Sequence, residues 1–116
     1  MQMKPILTLT VVAAAAVTAE RFGTLAGATA TAAGQASGVF RTDGSEGDHV
    51  GLDVHGTAVV VAGEAIDVDE EIEVGADGKA AAHDAGVVVA RAVTAATGDG
   101  DRIEVLLIPN VAASGA

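Results

Sequence analysis

The chain has 116 residues and a formal net charge of −10, from 16 acidic and 6 basic side chains. An acidic surface repels phosphate backbones, so this balance argues against a nucleic-acid-binding protein. Cysteine is absent, which excludes disulfide frameworks, thiolate metal sites and cysteine nucleophiles.

The hydrophobic half of the chain consists mainly of small side chains, and Phe22 and Phe40 are its only aromatic residues. Such side chains bury little area each, so we expect one domain with a thin core. A small domain with a thin core often gains stability by association, which predicts an oligomer. The few lysines and the many Ala, Val, Gly and Asp residues are typical of a halophilic or GC-rich host.

The first apolar stretch, ILTLTVVAAAAVTAERFGTLAG (residues 6–27), has two interpretations. A lysine before it and the VTA sequence at residues 17–19 fit a secretory signal. However, Pro5 stands at the start of the apolar run, and Thr8 and Thr10 interrupt it. The run is also too short to span a membrane. We therefore expect strands at residues 6–12 and 21–25, joined by a helical turn or an extended connection.

The rest of the chain reads as short strands separated by glycine-rich turns. Alternating or β-branched runs predict strands at residues 39–41, 49–55, 57–62, 70–74, 79–82, 87–93 and 102–108. The segment GADG at residues 75–78 is a strong hairpin signal. This pattern predicts an all-β fold, a small single-domain β-sandwich or barrel of short antiparallel strands. We assign residues 1–10 to an extended N-terminal arm, 11–109 to the β-rich domain and 110–116 to a C-terminal tail.

Residues 49–55 alternate cleanly. Val50, Leu52 and Val54 are predicted to point inward, and His49, Gly51, Asp53 and His55 outward. Gly56 would then form a turn before the next strand.

The acidic run at residues 67–73 is the densest group of potential ligands. On a strand, Asp67, Asp69, Glu71 and Glu73 share one face, but an extended ladder does not wrap around Ca²⁺. We therefore expect a solvated face.

No other group of side chains indicates chemistry. His49 and His55 would lie about 20 Å apart on a strand, and neighbouring His83 and Asp84 would point to opposite faces. There is no G-x-S-x-G motif, and Gly78-Lys79-Ala80 lacks the other residues of a P-loop. We expect no catalytic residue, no metal and no cofactor, and therefore not an enzyme.

The order of several short motifs resembles the capsid cement, or head decoration, proteins of tailed viruses. The motifs are VTAERFGTLAG (17–27), GEAI (63–66), VGADGK (74–79), VVARAV (88–93) and RIEVLL (102–107). The chain departs from the family pattern at Gly23, where a larger apolar residue is usual, at Asp69-Glu70, where a glycine commonly closes the turn, and at Ala90, where glycine is common.

The resemblance implies a structural virion protein that forms a homotrimer on the outer surface of an expanded icosahedral shell. Its partner would be the major capsid protein, bound at three-fold and quasi-three-fold positions, where the trimer would stabilise the shell against internal DNA pressure. It implies no direct binding of nucleic acid or membrane.

The N-terminal arm is the predicted capsid contact. Residues 1–10 could extend up to about 35 Å, and their Thr, Ile and Leu alternation suits strand addition to an edge of the capsid protein. We expect Ile6, Leu7 and Leu9 to be the contact residues. The alternative is that this strand pairs with the domain's own sheet.

Two other functions remain open from the sequence. One is a secreted or cell-surface β module, a calcium-dependent module included, which would keep the signal-peptide interpretation. The other is a different virion part, such as a tail or spike domain.

Overall fold

The computed structural model describes residues 2–110, and these form a single all-β domain. The predicted tail at residues 111–116 lies outside the described residues. The eight strands are β1 (Pro5–Val12), β2 (Phe22–Gly23), β3 (Gly38–Phe40), β4 (His49–Val61), β5 (Glu71–Val74), β6 (Ala80–Ala82), β7 (Ala90–Ala92) and β8 (Arg102–Leu107). The predicted fold class is confirmed. No helix among these residues is long and apolar enough to cross a membrane.

All paired strands are antiparallel, in the order β2-β3-β4-β8-β7-β5-β6, and β1 pairs with β4 beside this path. A parallel bridge between Ala62 and Ala80 joins the end of β4 to β6. The β4-β8-β7-β5-β6 part of the sheet therefore curls into a nearly closed barrel.

The barrel interior explains the alanine-rich composition. Ala58, Ala62, Ala80 and Ala90 are fully buried there, between larger residues such as Ile72 and Ile103. The interior of a small barrel has little room, so small and branched side chains fill it. A second core cluster, under β1, β3 and the first half of β4, contains Val11, Ala13, Val17, Phe40, Val50 and Leu52.

The long strand β4 connects the two parts of the molecule. Its first half pairs with β1 and β3, and residues 57–61 pair with β8. The sequence predicted two strands separated by a turn at Gly56, and this was wrong. Gly56 has φ +92°, but the chain continues in one strand, because this residue lies in an irregularity of the β1–β4 ladder rather than in a reversal.

Three features that the sequence singled out are a hairpin, a connecting segment and a departure from the family pattern. The β5–β6 hairpin is confirmed, with Val74 opposite Ala80 and with Asp77 and Gly78 at positive φ. Residues 13–20 contain no helix; they form an irregular connection with a β-bridge from Val17 to Gly44 and a turn at residues 19–20. Gly23 lies against Phe40, whose Cε2 atom would be 2.2 Å from a Cβ at this position. The Phe40 ring therefore fills the space that a larger residue at position 23 would need.

Candidate functional site

Strand β1 carries an exposed apolar surface. Ile6, Leu7 and Leu9, the three predicted contact residues, are 84%, 43% and 38% exposed, and of the large apolar side chains of β1 only Val11 is buried. No residue between Pro5 and Val12 is charged, although the chain has 22 charged side chains in all. We call Ile6, Leu7 and Leu9 the β1 strip.

The backbone of β1 pairs with β4 of the same chain. The sequence left open whether this strand pairs with the capsid protein or with the domain's own sheet, and in the structure it pairs with the domain's own sheet. Residues before β1 also contact the domain: Lys4 N–H donates to Thr57 Oγ1 (2.8 Å) and Gln2 N–H donates to Glu104 Oε1 (3.0 Å). The division of the chain into arm, domain and tail stays a prediction.

Two register shifts in the β1–β4 ladder determine where the β1 strip points. Pro5 lies opposite Gly56 and Leu7 opposite His55, so Ile6 is an extra residue on β1. A bulge of this kind redirects a side chain, and it accounts for the high exposure of Ile6. A Cβ on Gly56 would lie 2.4 Å from Lys4 O and 2.8 Å from Ile6 N, so the bulge requires glycine here.

Leu7 and Leu9 form one wall of a surface groove of about 300 Å³. None of its lining residues is an acid, a lysine or an arginine; they are Leu7, Leu9, Leu25, Ala36, Ser37, Val54, His55, Ile108, Pro109 and Asn110. The Asn110 side chain donates to Ala36 O and Ile108 O, and its Oδ1 accepts Ala36 N–H. Because the Asn110 side-chain amide is already hydrogen-bonded within the chain, the groove favours apolar groups.

A buried carboxylate fixes β1 from the opposite face. Asp53, only 2% exposed, accepts hydrogen bonds from Thr8 Oγ1 (2.6 Å) and Arg41 Nε (3.0 Å). Asp53 was predicted to point to solvent, and this was wrong. Asp53 does lie on the face of β4 away from Leu52, but the Thr8 and Arg41 side chains cover it there, so the carboxylate is buried although both of its partners are exposed to solvent.

The acidic run is not an extended ladder. Residues 67–70 form a turn with Asp69 at φ +73°, where the resembled family commonly has glycine, and the strand begins only at Glu71. Arg91 lies beside Asp69 and Glu71 and neutralises part of this surface. The Glu73 carboxylate accepts backbone N–H bonds from Asp84 and Gly86, and the Asp84 bond is the main cause that lowers its pKa below 4.5.

The histidines are dispersed in the structure. His49 and His55 are exposed, and the His83 ring bonds to Gly86 O. Within residues 2–110, no group of three or more His, Asp or Glu side chains is arranged to hold a metal ion.

Other exposed apolar side chains belong to elements other than β1. Val93 and Leu106 lie on the outer side of the β7–β8 pair, and Val68 lies at the tip of the acidic turn. The sequence did not single them out, because an isolated Val or Leu within a strand is more often a core residue.

Comparisons with known proteins give the fold and the family. The solved structure of the N base of the head fiber gp8.5 of bacteriophage phi29 superposes with a TM-score of 0.70 at 23% identity, covering 88% of this chain and 93% of that one. This shows a shared fold. A search of curated proteins found no match. The family model for phage cement proteins matches residues 1–107. The chain therefore belongs to the phage cement protein family, and it is a structural protein of the virion, located on the capsid surface.

Proposed function

We propose that this cement protein binds the outer surface of the expanded capsid as a homotrimer, at three-fold and quasi-three-fold positions, and that the β1 strip contacts the major capsid protein. The observation that carries this proposal is the combination of three exposed apolar side chains on a charge-free strand of a chain with net charge −10. Exposed apolar groups arranged together are typical of interaction sites.

The mechanism is linkage and needs no catalytic turnover. A ligand that binds only the mature lattice stabilises it by RT ln(1 + [L]/Kd), about 2.7 kcal/mol per site when its concentration is a hundredfold above Kd. A trimer joins three such contacts, so weak individual contacts give a strong overall attachment. On this proposal the protein is not an enzyme, and its acidic surface does not bind the packaged DNA.

Exposed apolar side chains on β1 and on the β7–β8 pair could contact two kinds of neighbour, the shell and the other subunits. The β1 strip serves the shell in this proposal, and Val93 with Leu106 serves contacts between subunits. The mostly small side chains of the barrel core also favour stabilisation by association.

The test uses expanded empty capsids that lack the protein. We expect the purified chain to bind them, and we expect light scattering to give three times the chain mass of 11.3 kDa. A variant with Ile6, Leu7 and Leu9 all replaced by serine should remain a trimer and lose binding. Val68→Ser, which removes an apolar side chain that is 60% exposed on the acidic turn, is the control and should bind normally. Unchanged binding by the triple variant would reject β1 as the contact.

A further inference from the structure

Strand β1 has an unpaired outer edge. Ala13 N–H, directly after β1, donates to Asp48 O and therefore points toward β4. Gly51, the β4 residue opposite Thr10, uses its C=O to accept Arg41 N–H, and this C=O therefore points toward β3 and away from β1. Hydrogen-bonding groups alternate along antiparallel strands, so Leu9 and Val11 bond toward β4, and Thr8 and Thr10 direct their N–H and C=O groups away from it. Within residues 2–110, these groups at Thr8 and Thr10 have no backbone partner.

This edge lacks the features that protect sheet edges in soluble proteins. Charged side chains, internal prolines and a covering loop normally block strand addition. Between Ile6 and Val11 there is no charge and no proline, and Thr8 and Thr10 are both exposed. The edge is covered only beyond Thr10, where Gly27 lies against Val12 O.

We propose that an extended, uncharged segment of the shell protein adds as a strand to this outer edge of β1 and places apolar side chains in the groove beside Leu7 and Leu9. This inference rests on the proposed function and specifies the chemistry of the partner. Backbone groups of Thr8 and Thr10 supply the hydrogen bonds, and the groove accepts side chains from alternate positions of the added strand.

The charge pattern and the symmetry determine the choice of occupant. The groove beside Leu7 and Leu9 contains no lysine, arginine or acidic side chain, and its Asn110 amide is hydrogen-bonded within the chain. It therefore favours an apolar peptide over a charged one. A second copy of β1 is disfavoured, because pairing of two identical edges is two-fold symmetric and closes at a dimer. Three subunits around a three-fold axis cannot all be joined in that way.

A proline substitution tests the outer edge of β1 without disturbing the hydrogen bonds of its inner edge to β4. Thr10→Pro removes an N–H that β4 does not use, and proline is tolerated on an edge strand when its nitrogen faces solvent. We expect the variant to keep the fold and the oligomeric state, and to bind expanded empty capsids roughly fivefold more weakly per subunit for the loss of one hydrogen bond. Thr10→Val, which keeps the N–H, should bind like the wild type.

Hydrogen exchange tests the same inference without a variant. In the free protein the amides of Thr8 and Thr10 should exchange quickly and those of Leu9 and Val11 slowly. On capsids all four should be protected. Absence of new protection at Thr8 and Thr10, or normal binding by folded Thr10→Pro, would overturn strand addition. A change in the oligomeric state of Thr10→Pro would identify a second copy as the occupant and would also overturn it. Failure of the wild type to bind capsids would instead reject the proposed function.

Discussion

Removal of the Thr8 hydroxyl should destabilise the domain far more than removal of the same group from Thr10. In Thr8→Val the Asp53 carboxylate loses its 2.6 Å hydrogen bond while it stays 2% exposed, so water cannot replace the lost donor. A hydrogen bond to a charged group contributes about 1.5–3 kcal/mol, and we expect a loss in that range. Arg41 still pairs with the carboxylate, which prevents a larger loss.

Thr10→Val is the matched control, because Thr10 lies on the same strand and its hydroxyl has no side-chain partner within the described part of the chain. Its effect should lie within about 0.5 kcal/mol. Urea denaturation at one fixed protein concentration gives both values from the shift of the midpoint at constant m. Equal effects of the two substitutions would refute the conclusion that Asp53 anchors β1.

Three further predictions concern other parts of the fold. Gly23→Ala should cost about 1–3 kcal/mol by overpacking against Phe40, and Phe40→Leu in the same chain should recover part of it, as a double-mutant cycle in urea would measure. Gly56→Ala should cost about 1–3 kcal/mol through positive φ and contact with Lys4 O, and capsid binding should weaken as Ile6 moves. Because folding lowers the pKa of Glu73, its ionised form stabilises the protein above about pH 4.5, and this contribution disappears as pH falls through the folded pKa. The urea midpoints of wild type and Glu73→Gln should therefore differ at pH 7 and converge at lower pH.

Local signals were sufficient for most strands. Seven of the eight strands overlap one predicted segment each, because short β-branched runs between glycine-rich turns have few alternative structures. The hairpin at residues 75–78 was equally clear, since its turn contains residues that tolerate positive φ.

Errors arose where distant parts of the chain determine the structure. A glycine between two apolar runs fits a turn and a bulge equally well, and only the pairing of Pro5 with Gly56 makes this one a bulge. The burial of Asp53 depends on Thr8, 45 positions earlier, and local alternation contains no information about what covers an outward face.

The exposed residues of β1 could be named from the sequence, but their arrangement could not. Leu7 and Leu9 alternate with Thr8 and Thr10, which indicates a strand but does not show which strand it pairs with. The groove beside Leu7 requires Leu25 and Ile108, which are far apart in sequence and are brought together by the fold.

The most direct test of the central proposal is a reconstruction of expanded empty capsids incubated with the purified protein. We expect trimeric density at three-fold and quasi-three-fold positions, with β1 of each subunit facing the shell and a strand of the capsid protein beside its outer edge. Density that is absent from these positions, or that contacts the shell through the acidic turn at residues 67–70, would contradict the proposal.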